Sequence, residues 1–328
     1  MTRIDPGWGR PASQRPTSAG EPPGVRTLGI AALVSGGGLA LLGLSRLRVG
    51  PGRRDQAVSA AAPEAAGLFA ATGLLALSVF ADSALEHYRG EFRNPGMFAP
   101  LASSAATLAV AAVGLRGRTL PRGSGVVFAG AAAVGAAGLG FHLFNIRKRP
   151  GRISWLNLFY AAPIGAPAAL SLAGVMGLLA QAVARGRRAV LGLSLGRLSA
   201  GLSALGLAGT VGEAGLLHFR GAFQNPFMWL PVSLPPVGSA LLARAACEGG
   251  DAGQRHFTRA WLALTAALGV GGVGFHIFGV SRAMGGWRNW RQNMVDGPPI
   301  PAPPAFTALS VAGLTALALQ RREMEHAA

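Results

Sequence analysis

His87-Tyr-Arg-Gly-Glu-Phe-Arg-Asn-Pro-Gly-Met-Phe-Ala-Pro100 recurs as His218-Phe-Arg-Gly-Ala-Phe-Gln-Asn-Pro-Phe-Met-Trp-Leu-Pro231. Eight of the fourteen positions are identical at a constant offset of 131. Further matches follow in order. Gly140-Phe-His-Leu-Phe144 pairs with Gly274-Phe-His-Ile-Phe278, Trp155 with Trp290, and Pro163-Ile-Gly-Ala-Pro167 with Pro299-Ile-Pro-Ala-Pro303. The offset drifts only to 136 across the whole unit. Such a period marks an internal duplication.

Around these motifs lie long apolar runs. A spanning helix needs about 20 mainly apolar residues. Nine stretches qualify: 27–46, 65–87, 97–115, 125–146, 162–184, 195–218, 226–246, 258–280 and 302–320. Transmembrane strands would be shorter and would alternate polar with apolar; these do not. The expected fold is therefore an all-α integral membrane protein of nine spans. Residues 1–26 read as a disordered polar tail, not a signal peptide, whose apolar core would lie near the start. Residues 27–62 hold a leading helix and loop, and 63–184 and 188–320 two four-helix repeats. Residues 321–328 form a polar tail. An even number of spans per repeat makes the repeats parallel, related by a pseudo-two-fold along the membrane normal. The inverted repeats of many transporters differ in this respect.

Bulk composition agrees. Half of the 328 residues are hydrophobic, only 13% are charged, and the mean hydropathy is +0.38, so polar surface is too scarce for a water-soluble chain. The formal net charge is +17, and Lys148 is the sole lysine. Most arginines flank apolar runs, where they meet the lipid bilayer's headgroups, so no nucleic-acid partner is expected. The single cysteine, Cys247, excludes an internal disulfide, a Cys-ligated iron–sulfur cluster and a CxxCH haem attachment.

Counting spans puts His87, His142, His218 and His276 near one membrane face, with both motif loops and the longer connections 147–161 and 281–301. Arg and Lys are commoner in the short connections of the opposite face. The positive-inside rule then turns the His face outward, to the periplasm of a bacterial inner membrane. Two imidazoles per repeat, on different helices, suit axial ligation of a haem b, and the same groups suit a quinone. Arg89 and Arg220 follow two residues after their histidines, and a guanidinium fork suits a haem propionate or a quinone oxygen. It equally suits simple interfacial anchoring.

The glycine-rich runs Gly135, Gly138, Gly140 and Gly269, Gly272, Gly274 serve either close helix approach or room for a flat macrocycle. Asp82 and Glu213 occupy matching positions, each five residues before its histidine. That is about 7.5 Å deeper and about 140° around the helix, so acid and imidazole take different faces. Intramembrane acids are a functional hypothesis by default. A structural ion pair is the plainer reading.

Asn94-Pro95 and Asn225-Pro226 read as helix starts, and Met97 and Met228 as packing. The segment Gly285–Asn293 carries Trp287, Arg288, Trp290 and Arg291, which suit a membrane anchor or the docking of a peripheral oxidoreductase subunit. Two four-helix bundles in one chain are similar in outline to the quinone-reacting membrane subunits of bacterial oxidoreductases, a likeness of architecture. It implies a redox membrane subunit. The residues alone leave two other functions open: an ion-coupled transporter or channel using Asp82 and Glu213, and a non-catalytic membrane anchor for a partner protein.

Overall fold

The computed structural model describes residues 63–160, 163–248 and 252–325. The expected tail 1–26 and leading helix 27–46 lie outside the described residues, as do 326–328; residues 321–325 of the expected polar tail instead continue the last helix. The rest is helical: α1 Pro63–Arg89, α2 Ala99–Leu115, α3 Ser124–Arg147, α4 Trp155–Tyr160, α5 Gly165–Ala184, α6 Leu195–Arg220, α7 Leu230–Glu248, α8 Ala252–Arg282, α9 Trp290–Asp296 and α10 Pro304–Glu325. A small hairpin, β1 Ala189–Val190 with β2 Leu193–Ser194, joins α5 to α6. Among the described residues, seven helices are long and apolar enough to cross a membrane: α1 to α3, α5 to α8. Eight of the nine expected stretches thus fall on long helices. The last, α10, has 22 residues but is not among the seven.

The helices start and stop where local chemistry requires. Asn94 Oδ1 accepts the Gly96 N–H at 2.9 Å and Asn225 Oδ1 accepts the Phe227 N–H at 3.0 Å. Each caps a short 3-10 turn, Pro95–Phe98 or Pro226–Trp229, that leads into α2 or α7. This satisfies amides that a helix N-terminus leaves without partners. The turn before it is tight. Glu91 and Phe92, and their matches Ala222 and Phe223, all have φ between 46° and 57°.

The centre is built from α1, α5, α6 and α10. Helix α1 packs on α2, α5 and α10; α6 packs on α7, α10 and α5; α3 lies on α5, and α8 on α10. Leu68, Leu75, Leu170, Leu207, Leu309 and Ala312 are among the buried core residues. Helix α10 buries a dozen residues, including Ser310, Thr315 and Gln320. Half of the most apolar window of α1 is buried, against 17% for α8. The outer helices therefore keep apolar faces outward, as a lipid solvent demands.

Glycines allow the close helix contacts. A Cβ on Gly135 would collide with the Ser171 N and the Pro167 carbonyl of α5; one on Gly269 would collide with Thr307 of α10. Ser171 Oγ donates to the Ala132 carbonyl at 3.0 Å, and Thr307 Oγ1 to the Ala266 carbonyl at 2.8 Å. Opposite the His face, Arg322 pairs with Glu64 at 3.1 Å, and Glu323 Oε1 accepts the Gly196 N–H at 3.0 Å. The end of α10 thereby ties down the starts of α1 and α6.

Candidate functional site

All four expected histidines lie at one end of the helices, and all four use the same ring atom. His87 Nδ1 meets the Met97 carbonyl at 2.7 Å, and His218 Nδ1 the Met228 carbonyl at 2.8 Å. His142 Nδ1 meets the Pro163 carbonyl at 2.7 Å, and His276 Nδ1 the Pro299 carbonyl at 2.7 Å. A carbonyl only accepts, so each Nδ1 carries the proton and donates. In the neutral imidazole Nε2 then holds the free lone pair. This is how ligand histidines are held in metal and haem sites, and it equally prepares Nε2 to accept a hydroxyl.

The sequence explains the acceptors. Just before α5 the carbonyl of Pro163 would meet the N–H four residues on if the helix began there, but residue 167 is proline and has none. His142 supplies the missing donor. Pro303 removes the same N–H above Pro299. There the carbonyl also accepts Ala302 N–H at 3.2 Å, so His276 is a second donor and not the sole one.

Around His87 and His218 the repeated motif forms a rigid corner. Phe92 N–H donates to the His87 carbonyl at 3.0 Å, and Phe223 N–H to that of His218 at 3.1 Å. Phe92 stacks on Phe98 with ring centroids 4.6 Å apart, and Phe223 on Trp229 at 4.1 Å. Gly90 and Gly221 lie under the Met97 and Met228 methyls, so the methionines pack as expected. These repeated residues thus have structural tasks at the corner. His87 lies within electrostatic range of His142, and His276 of His218.

The acids take the other face of their helices, as the 140° rotation requires. Asp82 of α1 is within electrostatic range of Glu213 of α6, and also of Glu86 and Arg89. Glu213 accepts a hydrogen bond from the Gly165 backbone at the start of α5, where a Cβ would strike its carboxylate. The position matching Gly165 is Pro301, which has no N–H to offer Asp82. Ser78 instead donates to the Pro301 carbonyl at 2.5 Å. Neither acid makes a salt bridge among the described residues, so the plain ion-pair reading finds no partner there.

Arg89 and Arg220 do not reach toward the imidazoles. Arg89 pairs with Glu86 at 2.9 Å and also donates to the Val295 carbonyl. Arg220 sits over the Phe159 ring at 5.0 Å and near Tyr160 at 6.0 Å. Each arginine therefore holds the short helix contributed by the other half of the chain: α9 for Arg89, α4 for Arg220. Trp287, Arg288, Trp290 and Arg291 are exposed on the same face. Arg291 lies over the Tyr88 ring at 5.4 Å. An open cleft of about 610 Å³ separates Tyr88, Arg89 and Phe92 from Asn289, Arg291 and Val295.

Sequence reasoning overlooked Asn157 and Asn293. Both are buried. Asn157 Nδ2 donates to the Pro150 and Arg152 carbonyls at 2.9 and 2.6 Å; Asn293 Nδ2 donates to those of Met284 and Gly286 at 3.1 and 2.8 Å. They clasp the loops that precede α4 and α9. Polar residues beside Trp and Arg in an interfacial loop gave no sign that these two point inward. Asn293→Ala removes the side-chain donor to both carbonyls, at a cost of about 0.5–1.5 kcal/mol per lost bond. The expected result is several-fold faster tryptic cleavage after Arg288 and Arg291, with the spans left intact.

The donor set suits a bis-imidazole iron. Gly138 and Gly272 lie one turn below His142 and His276, on the same helix faces. A Cβ there would be 3.2 Å from Pro167 Cβ and 2.8 Å from Pro303 Cβ. Proline rings fill the space beside these two glycines, which serve helix approach, while Gly140 and Gly274 have nothing within 4 Å of a Cβ position. Among the described residues, no group of three or more His, Cys, Asp or Glu is placed to hold a metal ion.

Comparison with family models, curated proteins and solved structures returns no match. Fold and composition define the class: an all-α, multi-pass integral membrane protein.

Proposed function

We propose that the chain is the membrane subunit of a respiratory-type oxidoreductase and binds a quinone at its His face. The observation that carries this reading is the set of four Nδ1–H···O=C bonds. They fix imidazole orientation and leave Nε2 as an acceptor at the face where a peripheral subunit would dock. A quinone is a two-electron, two-proton carrier, and Nε2 is suited to take a quinol proton. Unlike haem b, it needs no macrocycle-sized hollow beside His142 and His276. A reduced-minus-oxidised absorption spectrum of the purified protein separates the two: a haem α-band contradicts the assignment to quinone alone. Binding of the reduced quinol to the protein in nanodiscs tests the reading itself.

The architecture we assign is nine spans, a leading helix and two parallel four-helix units, α1–α3 with α5 and α6–α8 with α10. Matching helix contacts and matching hydrogen bonds in the two units support it. Trp287, Arg288, Trp290 and Arg291 form the docking face for the peripheral subunit. A second reading, an ion-coupled transporter, is favoured by one observation: Asp82 and Glu213 come from different units yet lie within range of each other. Proton-driven solute uptake into vesicles, abolished by Asp82→Asn with Glu213→Gln, would establish it.

We place the His face outside, in the periplasm of a bacterial inner membrane. Cys247, exposed near the end of α7, then faces the cytoplasm. A membrane-impermeant maleimide is expected to label it only after lysis. Labelling in intact cells reverses the orientation.

A further inference from the structure

The corner between α3 and α4 has no counterpart of equal charge in the second half. Arg147, Lys148, Arg149 and Arg152 fall within six residues, all are exposed, and the segment holds no acid. None of the four pairs with a carboxylate among the described residues. Arg149 donates to the Tyr160 carbonyl at 3.3 Å, and the Lys148 ammonium sits 5.1 Å from the Phe144 ring centre.

Beside these cations lies an apolar shelf. Ile153 is 64% exposed, Trp155 70%, Leu156 65% and Tyr160 65%. The shelf is held in place from behind. Phe159 packs edge-on against Phe219 at 5.7 Å, and buried Asn157 clasps the loop. Arg152 keeps φ at +50° and Gly151 at +82°, which turns the cationic loop back over α4. Helix α4 thus presents one fixed inner face and one outer face of tryptophan, leucine and tyrosine, at the end of a spanning helix.

We propose that this corner is a seat for an anionic phospholipid. The cations take the phosphodiester headgroup, and the Trp155–Leu156–Tyr160 shelf lies along the acyl–headgroup boundary. Aromatic rings favour that depth, and clustered basic residues beside a span draw acidic lipid. The unpaired charge of the loop selects lipid over a neutral partner surface. The matching corner after α8 has fewer cations: Arg282 lies near the Phe278 ring at 6.0 Å, and Arg291 is engaged with Tyr88. The duplication therefore supplies an internal control.

The test is native mass spectrometry of the full-length protein in detergent with dioleoyl phosphatidylglycerol or dioleoyl phosphatidylcholine. Wild type is expected to bind the glycerol lipid at least about tenfold more tightly. A surface cation contributes roughly fivefold. Lys148→Gln/Arg149→Gln/Arg152→Gln is then expected to lose about tenfold or more, while Arg282→Gln/Arg288→Gln changes binding less than about threefold. Unchanged size-exclusion profiles show that both variants fold, and excess glycerol phosphate separates lipid from free phosphate by failing to compete. Equal affinity for the two lipids overturns the proposal, as does equal loss in both variants. So does a triple variant that keeps its lipid preference but loses a co-purifying acidic protein, since the corner then docks protein.

Discussion

Gly135→Leu and Gly269→Leu are expected to abolish the folded protein, whereas Gly140→Leu leaves it close to wild type. A side chain at residue 135 drives into the Ser171 amide and the Pro167 carbonyl. Backbone cannot move aside as a flexible side chain can, so α3 must leave α5. Overpacking alone costs about 1–3 kcal/mol, and a main-chain collision costs more. Gly140 has no atom within 4 Å of a Cβ position, and leucine favours helix over glycine by up to about 1 kcal/mol. Fluorescence-detected size-exclusion chromatography reads the difference as loss or retention of a monodisperse peak. Equal behaviour of the 135 and 140 variants would show that α3 and α5 do not meet as described.

His142→Ala is expected to destabilise the protein more than His276→Ala, although the two positions match in sequence. Removing His142 leaves the Pro163 carbonyl short of a donor, because Pro167 has no N–H to replace it. The acceptor is half-buried, so leaving it alone costs up to about 1–3 kcal/mol, the figure for a fully buried group. The Pro299 carbonyl keeps the Ala302 N–H after His276 is removed, so the loss there should stay below about 1 kcal/mol. Thermal unfolding in detergent compares the two. The reverse order, or equal shifts, would mean the carbonyl bonds are not what holds these rings.

What the sequence revealed and what it withheld follow physical lines. Long apolar runs make spans legible, and Asn before Pro makes the starts of α2 and α7 legible, because both signals are local. Lipid-facing and protein-facing helices are not separable in this way, since both are apolar. Residues 302–320 therefore read like the other apolar stretches, and nothing in them shows that α10 buries Leu309, Ala312 and Ala316 at the centre of the bundle. The histidines were legible as marked residues but not as donors to carbonyls. Pro163 and Pro167 stood in plain view, yet the link to His142 spans 21 residues. Arg89 and Arg220 were legible as groups for a bound ligand or an interfacial anchor, but their contacts with α9 and α4 were not. Only the packing of the two halves brings those short helices within reach. The meeting of Asp82 with Glu213 has the same origin.

The central claim is that the imidazole Nε2 atoms of the His face accept the hydroxyls of a quinol, the reduced form of the quinone. The most direct test is equilibrium binding of a short-chain ubiquinol or menaquinol analogue, kept reduced, to the full chain in nanodiscs, against empty discs. The account predicts saturable binding above the lipid background. It also predicts that replacing His142 and His276 together weakens that binding by about tenfold, the loss of roughly one hydrogen bond. Binding that never exceeds empty discs, or that survives replacement of all four histidines, contradicts it.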